Sequence, residues 1–155
     1  MKKYYLAYGS NLNLDEMKSR CPFSRPVGAS VIKDYRLIYK GTKQVSYLTI
    51  EPCEGSIVPV GVYEITPMDE ANLDFYEGIP TLYSKHNITI SLYGKEIDAI
   101  VYIMNPNFSY HLPSESYVYR CLQGYRNFNF NHEILNRALQ NTIDNIAKEL
   151  VKEII

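Results

Sequence analysis

The sequence of 155 residues predicts one α+β domain, on three observations. Runs rich in β-branched and aromatic residues alternate with short segments that carry helix-capping residues. The chain closes on an apolar pattern at three- and four-residue spacing. No repeat, low-complexity stretch or linker divides it, so residues 1–155 read as a single unit long enough to bury a sizeable core.

Each element has a local reason. KYYLAY, residues 3–8, has strand composition and stops at Gly9. The following NLNLDEMKSRC reads as a short helix with Asn13 as N-cap and Glu16 at the capping-box position, ended by Pro22 and Pro26. Residues 31–40, 45–52 and 57–65 read as three successive strands separated by Gly, Pro and polar residues. TPMDEANLDFYEG predicts a helix with Thr66 as N-cap, Pro67 at its first position, Asp69 three residues after the cap and Gly78 as the stop. Residues 86–104 predict a hairpin turning at Tyr93-Gly94-Lys95. Ser114 caps ESYVYRCLQGY, and the tail from Ile134 to Ile154 predicts an amphipathic helix packed on the sheet.

Composition excludes several function classes. A net charge of -1 and a pI near 6.3 leave no electrostatic footprint for nucleic acid or an acidic membrane surface. The 15 tyrosines lack the basic interleaving of a single-strand groove and read as core and pocket lining. No stretch approaches the roughly 20 apolar residues of a membrane span. Cys21, Cys53 and Cys121 form no CxxC pair, which points to a reducing compartment and predicts a cytoplasmic protein. His86, His111 and His132 cannot be placed near a thiol from sequence, so small buried thiols and surface imidazoles are the expectation. His132-Glu133 lacks the second His of HExxH, and no phosphate-binding glycine loop is present, so no metal or cofactor is expected.

Two features carry chemistry. After the first strand, Gly9 permits a tight turn, and Ser10 and Asn11 lead into a helix whose first amides lack intrahelical partners. Such a corner suits a carboxylate or a developing oxyanion, helped by the Ser10 hydroxyl. The second feature is Glu77, at a helix end where the last carbonyls disfavour a negative charge, among Phe75, Tyr76, Ile79 and Pro80. Both effects raise its pKa towards neutrality and suit it to general-base work.

Tyr8-Gly9-Ser10-Asn11-Leu12 after an N-terminal strand, Glu77-Gly78 followed by Tyr83, and Pro113-Ser114-Glu115-Ser116-Tyr117 with Gly124 beyond it occur in that order. Together with the Pro-Val-Gly-Val-Tyr stretch around Gly61, this set resembles the γ-glutamylcyclotransferase family from residue 4 to about residue 140. The resemblance implies a small mixed β-barrel flanked by helices, and an enzyme whose substrate attacks itself. The α-amine of a γ-glutamyl group adds to its own γ-carbonyl, an amine leaves, and 5-oxoproline remains, without cofactor or metal. By position, the resemblance assigns the glutamyl-binding loop to Tyr8, Gly9, Ser10, Asn11 and Leu12, the catalytic acid/base to Glu77, and pocket lining to Tyr83 and Tyr117.

The implied partner is a small γ-glutamyl compound rather than nucleic acid or membrane, and a homodimer is compatible with the family. Whether the loop amides hold the α-carboxylate or the oxyanion stays open at this level. Lys85 stands where relatives carry Arg, and Asn11 stands where the glutathione-directed branch has Leu. The implied substrates are therefore γ-glutamyl amino acids, γ-glutamylamines or γ-glutamyl-protected intermediates rather than glutathione. A non-catalytic metabolite-binding or protein-interaction module on the same fold is the alternative.

Overall fold

The computed structural model describes residues 2–155. Strand β1 (Lys3–Ala7) leads through a 3-10 turn (Ser10–Leu12) into helix α1 (Leu14–Arg20), followed by strands β2 (Arg25–Gly41) and β3 (Ser46–Ile65). Helix α2 (Pro67–Tyr76), strands β4 (Tyr83–Leu92), β5 (Lys95–Met104) and β6 (Ser109–Tyr110), and helices α3 (Glu115–Asn127) and α4 (Glu133–Ile154) complete the chain. The strands form one sheet in the order β4-β5-β1-β3-β2-β6. All pairs are antiparallel except β1 with β5, so the sheet is mixed. It curls into a half-barrel: the Ser30 hydroxyl on β2 donates to the Ser91 carbonyl on β4, two strands that are not neighbours in the ladder. With four helices around it, this is the expected α+β architecture.

The helix ends follow local rules. Asn13 Oδ1 accepts from the Glu16 amide at 3.2 Å. Thr66 and Asp69 form a reciprocal capping box, with the Asp69 amide donating to Thr66 and the Thr66 amide to Asp69. Ser114 accepts from the Tyr117 amide. The β4–β5 connection is a two-residue turn in which Tyr93 and Gly94 take φ of 49° and 77°, matching the right-handed strand twist.

Three expectations are corrected. Residues 45–52 and 57–65 are not separate strands but parts of β3, because β2 stays paired with both. The break between them is a bulge: Lys33 pairs with Ile57 and Tyr35 with Pro52, while Asp34 at φ 64° accepts from the Gly55 amide. Strand β4 begins at Tyr83 rather than His86. The final helix packs only its first half. Leu135, Ala138 and Thr142 are buried, whereas Leu150, Val151 and Ile154 are 55%, 51% and 76% exposed.

The core is continuous, running from Leu6, Val60 and Val62 on the central strands to Cys121, Tyr125 and Leu135 on the helices. Among the described residues, no helix is long and apolar enough to cross a membrane.

Candidate active site

The end of β1 delivers the chain into the mouth of the half-barrel, where a cavity of about 160 Å³ opens. Tyr8, Gly9, Ser10 and Asn11 form one wall, Glu77 and Tyr76 from the end of α2 another, and Tyr83 and Tyr117 complete it. Seven of the eight residues singled out from sequence thus meet here, across 109 residues of chain from Tyr8 to Tyr117. Leu12 does not join them. It is fully buried beneath the loop, where Gly61 and Gly124 leave it room.

The loop differs from the sequence reading in a way that matters for its chemistry. Ser10–Leu12 is a separate 3-10 turn, closed by the Leu12 amide to Gly9 O at 3.1 Å. Two of the first amides of α1 are already satisfied: Leu14 donates to Asn127 and Glu16 to Asn13. At the cavity, the amides of Ser10 and Asn11 have no acceptor among the described residues. Gly9 is needed for close approach. A Cβ there would lie 3.2 Å from the Tyr117 hydroxyl and 3.6 Å from Leu48 Cβ.

Glu77 is the C-cap of α2: its amide bonds to Leu73 O at 2.8 Å, and Gly78 at φ 66° then turns the chain away. Its carboxylate makes no hydrogen bond among the described residues and faces a wall of tyrosines. Burial raises its pKa to about 7, against an opposing pull from the Arg20 guanidinium. The shielding does not come from the sequence neighbour Phe75, which is 90% exposed, but from cavity residues that the fold brings in.

The other tyrosines are locked. Tyr8 donates to Tyr102 O at 2.6 Å, Tyr83 to Leu48 O at 2.8 Å, and Tyr117 accepts from the Leu48 amide at 3.1 Å. Lys85 does not line the cavity. It reaches Glu70 at 2.7 Å and Asp74 at 3.0 Å, tying the outer face of α2 to β4 and so fixing the helix whose end carries Glu77.

A family model described as "Gamma-glutamyl cyclotransferase, AIG2-like" matches residues 5–120, the span that contains the loop, Glu77, Tyr83 and Tyr117. The chain belongs to the gamma-glutamyl cyclotransferase, AIG2-like family. Among solved structures, one described as a gamma-glutamyl cyclotransferase is similar at 23% identity and a TM-score of 0.80, covering 89% of this chain and 86% of its own. An uncharacterized protein from Homo sapiens is similar at 24% identity and a TM-score of 0.79, over 88% of this chain and 86% of its own. YkqA from Bacillus subtilis matches at 18% identity and a TM-score of 0.75, over 91% of this chain and 54% of its own. These likenesses establish the fold. No curated protein sequence matches at a comparable level.

On this cyclotransferase-family fold, sequence reasoning did not single out Tyr5, Tyr47 and Tyr102 as cavity residues, nor Arg20, whose guanidinium lies 3.7 Å from the Tyr76 ring. The tyrosines carried no distinguishing signal among so many. Arg20 had one: its spacing of four from Glu16, realised as a 2.8 Å ion pair. Cys21 and Cys121 stay inert in the fold, since burial pushes both thiols up to about 12.

Proposed function

We propose that this protein cyclises the γ-glutamyl group of a small γ-glutamyl amino acid or γ-glutamylamine, releasing the free amine and 5-oxoproline. The observation that supports this most is Glu77: a carboxylate with a pKa of about 7 and no hydrogen-bond partner among the described residues, on the wall of a cavity lined by loop residues Ser10 and Asn11, whose amides have no acceptor among those residues. A substrate α-amine is mostly ammonium at neutral pH and must lose a proton before it can attack. Glu77 takes that proton. The freed amine adds to the γ-carbonyl, the amide C–N bond breaks as Glu77 gives its proton to the departing nitrogen, and the second proton that the attacking nitrogen sheds as the lactam forms leaves with the released amine as its ammonium. No covalent enzyme intermediate is needed.

The cavity suits this division of the substrate. At about 160 Å³ it lies below the 300 to 1,000 Å³ typical of sites for drug-sized ligands, so it admits a glutamyl-sized group and leaves the amine portion towards the mouth. Held there, the chain is kept in a cyclising geometry. The test is incubation with a panel of γ-glutamyl compounds and detection of 5-oxoproline by mass spectrometry, with Glu77→Gln in parallel. Production by the wild type and its loss of roughly 10²- to 10⁴-fold in Glu77→Gln is expected. Silence of the wild type across the panel would favour the metabolite-binding module.

A further inference from the structure

Asn11 is 3% exposed, and its side-chain amide is held between a cation and a phenol. Arg20 Nη1 donates to Asn11 Oδ1, and Asn11 Nδ2 donates to the Tyr5 hydroxyl at 2.9 Å. Chemistry fixes the direction of this chain. A guanidinium carries only donors, so the amide oxygen must face Arg20 and the NH₂ group must face Tyr5. The Tyr5 oxygen therefore receives a proton from the protein, and its own proton has to point elsewhere.

Among the described residues nothing accepts that proton. The neighbouring phenols differ in this respect: Tyr8 donates to Tyr102 O, Tyr83 to Leu48 O, and Tyr102 to Asp74 Oδ1 at 2.6 Å. Tyr5 is 4% exposed and lines the cavity beside the free amides of Ser10 and Asn11. Burial, with the nearby Glu77 charge adding to it, holds the Tyr5 hydroxyl well above its ordinary pKa, so it stays a donor at every working pH. Among the described residues no Lys or Arg lines the cavity, so a carboxylate entering it is met by neutral donors.

We infer that the Tyr5 hydroxyl binds the α-carboxylate of the γ-glutamyl group together with the Ser10 and Asn11 amides, and that Arg20 and Asn11 are positioning residues that hold Tyr5 as a donor. The identity of the anion rests on the γ-glutamyl reading. The chain of bonds transmits the polarity of Arg20 into the cavity without placing a cation there. An unshielded guanidinium at that wall would pull the pKa of Glu77 down and weaken it as a base.

The experiment titrates the full-length protein by NMR with 5-oxoproline and with 2-pyrrolidinone, which has the same ring without the carboxylate. Wild type is expected to prefer 5-oxoproline. Tyr5→Phe should bind 5-oxoproline about 10-fold more weakly, while its affinity for 2-pyrrolidinone barely changes. Arg20→Met should shift the same preference, and Arg20→Lys, which keeps a donor to Asn11, should restore most of it. A merely structural role for Arg20 would not alter the ratio between the two probes. Equal loss on both probes, no loss in Tyr5→Phe, or no preference in the wild type would each overturn the inference. If Tyr5→Phe loses the preference but the wild type turns over no γ-glutamyl compound, the carboxylate site stands and the cyclisation reading falls. Turnover with identical KM in wild type and Tyr5→Phe gives the reverse.

Discussion

Glu77 concentrates the residue-scale energetics, because the burial that makes it a useful base also makes it costly to ionise. Its folded pKa of about 7 lies above the ordinary value of 4.5, so the folded protein holds the proton more tightly than the unfolded chain. The stability this contributes is complete below about pH 4.5 and is lost as pH rises through about 7. Glu77→Gln removes the titration, so its melting temperature relative to wild type should be higher at pH 8 than at pH 5; a pH-independent difference would show that the carboxyl is not desolvated. The same group shapes kinetics. Wild-type kcat/KM should rise through an acidic limb near pH 7, and that limb should vanish in residual Glu77→Gln activity. Gly9 tests the opposite wall. Gly9→Val places branches where a Cβ alone already meets the Tyr117 hydroxyl at 3.2 Å, so substrate binding should suffer more than stability: KM should rise strongly, while the melting temperature falls by a few degrees.

At the scale of elements, the site is assembled from ends: the exit of β1, the C-terminus of α2 and the N-terminal turn of α3. Their mutual placement depends on a few contacts outside the cavity. The capping box of α2 fixes where that helix starts, and Lys85 fixes its outer face through Glu70 and Asp74. Thr66→Ala should cost about 1 kcal/mol, seen as a fall of a few degrees in melting temperature. Gly124 sets the distance between α3 and the loop. A Cβ there would lie 2.5 Å from Asn13 N and 2.6 Å from Leu12 C, both backbone atoms that cannot swing aside. Gly124→Ala must push α3 off the loop, so both stability and affinity should fall, by about 1 to 3 kcal/mol for the former. A crystal structure or chemical-shift map of the variant would locate the displacement at Leu12–Asn13.

Across the whole molecule, one core serves the sheet and the first half of α4, and the distal turns of that helix stand apart from it. Every residue from Ala147 to Ile155 is exposed. Deleting residues 148–155 should therefore leave the melting temperature within a few degrees of wild type, as calorimetry would show. A large fall would mean that the exposed Leu150, Val151 and Ile154 are covered by something in solution.

What the sequence determined by itself was local. Helix starts were legible because Asn13, Thr66 and Ser114 cap within three residues of themselves, and the hairpin because Tyr93-Gly94 needs no distant partner to turn. The loop and Glu77 were legible as ordered motifs whose neighbours gave each a chemical reason. Tertiary structure decided what depends on neighbours far along the chain. It joined two apparent strands into β3, because β2 supplied a continuous partner across the bulge at Asp34. It shielded Glu77 with tyrosines from β1, β3 and α3 rather than with Phe75, which points into solvent. It set Arg20, Asn11 and Tyr5 in one line of hydrogen bonds: the three lie close in sequence, but no regular spacing encodes the relation, because the 3-10 turn between β1 and α1 decides which way each side chain faces.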